Sequence, residues 1–158
     1  MHFYRRVFLA TDEVSQLGII AQACTHYEDQ YEEALNFVKN PSGLLVKIES
    51  MIPGVAAENE ARVRDLEIML KHLENMESVA RKKKTQYYME HYQRSLSETT
   101  ATRYADADDE VQNIRAIRYR VASVSNLFTA ISKGLEYMHF QLSNITKLRV
   151  VGIEDAEF

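Results

Sequence analysis

The residues best placed to do chemistry in this chain lie in one run, ARKKKTQYYMEHYQR, at positions 80–94. Four consecutive cations, Arg81, Lys82, Lys83 and Lys84, lead into Tyr87, Tyr88, His91, Tyr92 and Arg94. On a helix, Arg81, Lys84, Tyr88 and His91/Tyr92 follow one another at spacings of three and four and share a face. Lys83, Tyr87 and Arg94 fall on the neighbouring strip, and Lys82 completes the basic run. A protein that holds single-stranded nucleic acid without reading its sequence needs these two ingredients. Cations neutralise phosphates and release counterions, while flat rings stack unpaired bases at about 1–3 kcal/mol per base. The same run also fits an ordinary solvated helix face, with the tyrosines half-buried against a neighbour.

Other chemistry is thinner. Glu136 and His139 have the Glu-x-x-His spacing of di-iron bundles, but such a site needs two pairs and further carboxylates, and only one pair is present. Asp106, Asp108, Asp109 and Glu110 resemble a cation cluster, yet they open a helix, where caps and dipole-favoured acids belong. There is no Gly-rich phosphate loop, and five scattered histidines suggest no nucleophile–base set. The expectation is therefore a non-enzymatic protein with no catalytic residue, metal or cofactor.

The elements that must position the basic-aromatic run are helical. Of 158 residues, 46% are apolar and 27% charged, with only 2 Pro and 5 Gly to break helices, so the expected fold is a single all-α domain. The net charge of −4 argues against a basic coat over the whole molecule. Its distribution is uneven: residues 1–60 carry a balance of −5, residues 61–100 of +2 and residues 101–158 of −1. A local basic patch thus survives an acidic total. The single Cys24 excludes an internal disulfide and reads as a small apolar residue in a reducing compartment. No apolar run approaches the roughly 18 residues of a membrane span, which leads to the expectation of a soluble, cytoplasmic protein.

Helical spacing from residue 11 to Asn40-Pro41 predicts a first long helix. A short one is expected over residues 42–51, stopped by Pro53-Gly54, and a second long helix over residues 55–96. The apolar stripe of that helix is Val63, Leu66, Leu70, Leu73, Met76 and Val79/Ala80, ending where the cations begin. Residues 97–108, SETTATRYADAD, read as a connector rich in capping residues. Residues 1–54 form an N-terminal helical region, 55–96 the basic-aromatic helix, 107–149 an oligomerisation helix and 150–158 an acidic tail.

The clearest pattern is in residues 107–149. Apolar side chains fall at Ile114, Ile117, Val121, Val124, Phe128, Ile131, Leu135, Met138, Leu142 and Ile145, alternating spacings of three and four without a slip. Such regularity marks a coiled-coil seam, because a drifting 3.6-residue pattern would not hold 3.5 over this length. Leu beside Ile at the two seam positions favours assemblies of more than two strands. Packing of this seam between subunits is expected, in a helical bundle or ring; its packing inside the subunit, against the Val63–Ala80 stripe, is the alternative.

The basic run entering a Tyr-Tyr pair, the segment YADADDEV at residues 104–111 and the long C-terminal helix together resemble the UvsY-like recombination mediators of large tailed phages. The similarity covers residues 73–149. It implies a ring-shaped homo-oligomer larger than a dimer that binds single-stranded DNA and helps a RecA-like recombinase displace a single-strand-binding protein. On that resemblance Lys82 and Lys84 contact DNA, with Arg81 and Lys83 as helpers. A structural or assembly protein, such as a phage scaffold or coiled-coil adaptor, is the competing expectation. There the heptads do the main job and the lysines are only solvated.

Overall fold

The computed structural model describes residues 3–92 and 95–152. Among them are five helices and no strand: α1 (Phe3–Leu9), α2 (Glu13–Lys39), α3 (Leu45–His91), α4 (Glu98–Ala107) and α5 (Asp109–Val150). The all-α expectation holds. None of these helices is long and apolar enough to cross a membrane. The acidic tail beyond residue 152 and Arg94 lie outside the described residues.

Two of the expected boundaries are corrected. Pro53-Gly54 does not stop a helix: α3 runs unbroken from Leu45 with Pro53 inside it. An interior proline costs about 3 kcal/mol through its missing N–H and its clash with the preceding turn. Burial on both sides offsets that cost here, since Ile48 and Ile52 pack with Met138 and Leu142, and Val55 and Ala56 pack against Ala34, Ile131 and Leu135. The second correction concerns residues 97–108, which are a helix and not a connector. Ser97 caps α4 by accepting the Thr100 N–H, and Ala101 and Ala105 anchor it as its buried face. α3 also ends at His91, short of residue 96.

The chain divides into two compact units. The first comprises residues 1–24 and 65–123. Its buried residues come from α1 (Val7), α2 (Ile20, Ala23, Cys24), α3 (Leu66, Met69, Leu73, Met76, Ala80), α4 (Ala101, Ala105) and α5 (Val111, Ile114, Val121). α2 starts where Asp12 accepts the Ser15 N–H at 2.8 Å. α1 and the first turn of α2 are tied to α3 by His72, whose ring is 2.9 Å from Gln16 Oε1 and meets Phe8 edge-on at 5.2 Å. Ala80 is the last buried residue of α3, as the stripe predicts.

The second unit comprises residues 25–64 and 124–158. Phe128 is its fully buried centre, met edge-on by Tyr27 and Tyr31, each at 6.1 Å. The Arg62 guanidinium lies 5.7 Å from the Phe128 ring centroid, and Arg62 Nε donates to Gln30. Buried Asn59 donates its amide to the Phe128 carbonyl at 2.9 Å. At Gly134 a Cβ would stand 2.8 Å from Val38 Cγ1, so glycine lets α5 approach α2 here without displacing the Val38 side chain.

The seam expectation is corrected in one respect. Val121, Val124, Phe128, Ile131, Leu135, Met138 and Leu142 are at most 2% exposed, Ile114 and Ile145 are buried and Ile117 is half-buried, all within one chain. The stripe is real, but α2 and α3 already cover it in the clusters around Leu135 and Leu142. Nine of the ten residues are thus buried within the chain itself, which is the alternative packing, and Ile117 is half-buried. The physical reason is that spacing dictates a buried stripe without dictating which chain buries it.

Candidate nucleic-acid interface

The basic-aromatic run occupies the last turns of α3, in the first unit, beside α4 and the start of α5. Beyond Ala80 nothing on α3 is buried, so the helix changes there from packed to displayed. The run itself splits into two strips.

One strip faces α4 and the α4–α5 junction. Arg81 grips the Asp106 carboxylate with both arms of its guanidinium, Nε to Oδ1 and Nη2 to Oδ2, each at 2.8 Å. Lys84 Nζ sits 3.1 Å from Asp108 Oδ1 and 3.0 Å from Glu110 Oε2. The Tyr88 hydroxyl donates to Asp108 Oδ2 at 3.1 Å. Tyr104 of α4 is within 5.7 Å of the Tyr88 ring and 5.2 Å of the Tyr92 ring. Behind this contact, Arg115 joins Asp106 to Glu77, and Arg118 Nε is 3.0 Å from Glu77 as an ion pair outside hydrogen-bond geometry. Four cations thus meet four carboxylates, and this strip presents little net charge.

The titration behaviour follows. Burial pushes Asp106 up, but the hydrogen bonds and charges of Arg81 and Arg115 outweigh it and hold the carboxyl below its ordinary value. Asp108 behaves alike: burial raises it, and the Glu110 N–H, Lys84 and Tyr88 bring it lower overall. Hydrogen bonds to Glu110 and then Asp108 raise Lys84. Burial, followed by the Asp108 contact, raises Tyr88.

The other strip is open. Lys82 and Lys83 are exposed and form no ion pair among the described residues. Tyr87 is 54% exposed. Its ring stacks on His91 at 4.7 Å and 15°, and the His91 ring is fixed by a 3.1 Å contact between Nδ1 and the Tyr87 carbonyl. On the other side of the run, a groove of about 450 Å³ is lined by residues that include Arg81, Lys82, Gln86, Glu90, Glu98 and Thr102.

The expected site therefore divides. Lys82, Lys83, Tyr87 and His91 are all exposed, with Lys83, Tyr87 and His91 one turn apart on one strip and Lys82 on the opposite side of the helix, whereas Arg81, Lys84, Tyr88 and Tyr92 are engaged by α4 and the junction. Sequence reasoning missed Asp106, Asp108 and Glu110 as ion-pair partners, along with Tyr104, Glu77, Arg115 and Arg118. The available signal was the complementary charge of KKK and DADDE, which helix capping already explained. Among the described residues no three His, Cys, Asp or Glu side chains gather as a ligand set for a metal.

The two segments that carry the family resemblance, residues 80–88 and 104–111, are the two halves of this ion-pair contact. Comparison with protein-family models, curated proteins and solved structures finds no match for this chain.

Proposed function

We propose that this protein binds single-stranded DNA through Lys82, Lys83, Tyr87 and His91. The observation that supports the reading is the open strip itself: Lys83, with no ion pair among the described residues, stands one turn from a tyrosine–histidine stack exposed to solvent, and Lys82, equally unpaired among them, adds a second cation next in the chain. Phosphates meet the lysines and an unpaired base extends the existing ring stack, which is the division of labour that sequence-independent strand binding needs. Duplex DNA offers phosphates but no free base faces, so the rings favour single strands. A role as recombination mediator, loading a RecA-like recombinase against a single-strand-binding protein, rests on the resemblance of residues 80–88 and 104–111 and belongs to the same proposal. Assembly into a larger homo-oligomer, which that role entails, uses faces other than the buried seam, and raises weak single-patch binding by avidity.

The internal pairing of Arg81, Lys84 and Tyr88 favours a second reading, in which the run only fastens α3 to α4 in a helical adaptor or scaffold. The test is strand binding by fluorescence anisotropy with Lys82→Ala/Lys83→Ala, which leaves every ion pair of the contact intact. A loss of at least tenfold at unchanged thermal stability supports the proposal. Unchanged affinity refutes it and favours the adaptor.

A further inference from the structure

The contact between α3 and the α4–α5 junction has the chemistry of a bound strand. Asp106 receives Arg81 in the two-armed geometry by which arginine takes a phosphate. Asp108 and Glu110 flank Lys84 as two phosphate oxygens would. Tyr104 lies against Tyr88 and Tyr92 at 5.7 and 5.2 Å, with interplanar angles of 38° and 32°, where a base would rest. Carboxylate and ring thus come from one short segment in the places where a strand supplies phosphate and base.

From this juxtaposition we infer that Arg81, Lys84, Tyr88 and Tyr92 form a second single-strand-binding surface, occupied in the free protein by its own Tyr104, Asp106, Asp108 and Glu110. A strand arriving on the open strip displaces the junction and extends onto this surface. The inference rests on the proposed function and deepens it by naming what the strand competes with.

The hold on the junction is of a kind that can be released. α4 has ten residues, too few to be stable as an isolated helix, and its buried face consists of Ala101 and Ala105. Exposed ion pairs are weak and salt-screened, and Arg81 and Glu110 are 47% and 45% exposed. A strand offers more charge than three carboxylates, and its binding releases counterions, which the internal contact does not.

The experiment compares full-length wild type with Asp108→Asn and Asp109→Asn, using anisotropy of a labelled oligothymidylate across a salt series. Asparagine keeps the capping of the Glu110 N–H by residue 108. Asp109 is exposed, next in the chain and outside every ion pair of the contact, so its variant controls for the bare change of charge. Asp108→Asn should bind about five- to tenfold more tightly, with a salt slope steeper by up to about 0.7, as Lys84 keeps Glu110 but loses one of its two carboxylates. Asp109→Asn should stay within about twofold. Equal affinities of the two variants, or weaker binding by Asp108→Asn with its melting curve unchanged, overturn the inference while leaving the open strip standing. Absence of wild-type binding overturns the proposed function itself. Amide exchange gives a second readout: strand binding should speed exchange in residues 98–107, and slower exchange there contradicts displacement.

Discussion

Phe128→Ala separates an inner seam from an interface between subunits. The ring is fully buried, touched edge-on by Tyr27 and Tyr31 at 6.1 Å each and flanked by the Arg62 guanidinium at 5.7 Å. Truncating a buried Phe costs about 3–5 kcal/mol, and the two aromatic contacts, at about 0.5–1.5 kcal/mol each beyond their area, place the loss toward the upper end. Against a total stability of about 5–15 kcal/mol this is a large fraction. For a chain of 158 residues, about 3 °C per kcal/mol converts it to a drop of about 10–15 °C in melting temperature. The assay is thermal unfolding of wild type and variant at two concentrations tenfold apart. An inner seam gives the same loss at both concentrations. A loss below about 1 kcal/mol, or one that appears only on dilution together with a lower mass, would refute the inner-seam reasoning.

Two further perturbations follow from the same geometry. Gly54→Ala should stabilise by about 0.5–1 kcal/mol, because an added Cβ meets nothing within 4 Å and helix propensity improves; Gly134→Ala should instead destabilise by up to about 2 kcal/mol, since its Cβ meets Val38 Cγ1 at 2.8 Å. Urea midpoints measure both, and a loss at residue 54 would mean that α3 is not continuous there. The ion-pair contact should give a two-sided pH profile. Asp106 and Asp108 are held low, so their contribution is full above about pH 4 and is lost as pH falls through the lowered native values. Lys84 is held high, so its contribution is full below about pH 10 and is lost as pH rises through the raised value. Melting temperatures across pH should show both limbs, with Asp106→Asn flattening the acid one; an acid limb unchanged by that variant contradicts the assignment.

Much of the fold was legible in the sequence. The spacing in residues 107–149 located nine buried positions of α5, Ile117 alone of the ten being half-buried, and the stripe on α3 ends at Ala80, where its cations begin. What spacing cannot encode is ownership: Leu135 and Leu142 required a covering face, and α2 and α3 of the same chain supply it. Local propensity misled at Pro53-Gly54, where packing around Ile52 outweighs an intrinsic helix break. It misled again at residues 98–107, whose Thr and Asp read as caps although Ala101 and Ala105 provide a buried edge. The candidate site was half legible. Composition marked residues 81–92, but Asp106 and Asp108 had a sufficient role as helix-terminal acids, and only the approach of α4 to α3 reveals them as partners of Arg81 and Lys84.

The most direct measurement of the central claim is equilibrium binding of the wild-type protein to a labelled single strand and to the same sequence as duplex, titrated with salt. The account predicts preference for the single strand and affinity that falls with salt, with a slope of about −0.7 for each phosphate engaged. No binding at low salt, or equal binding to duplex, would contradict it.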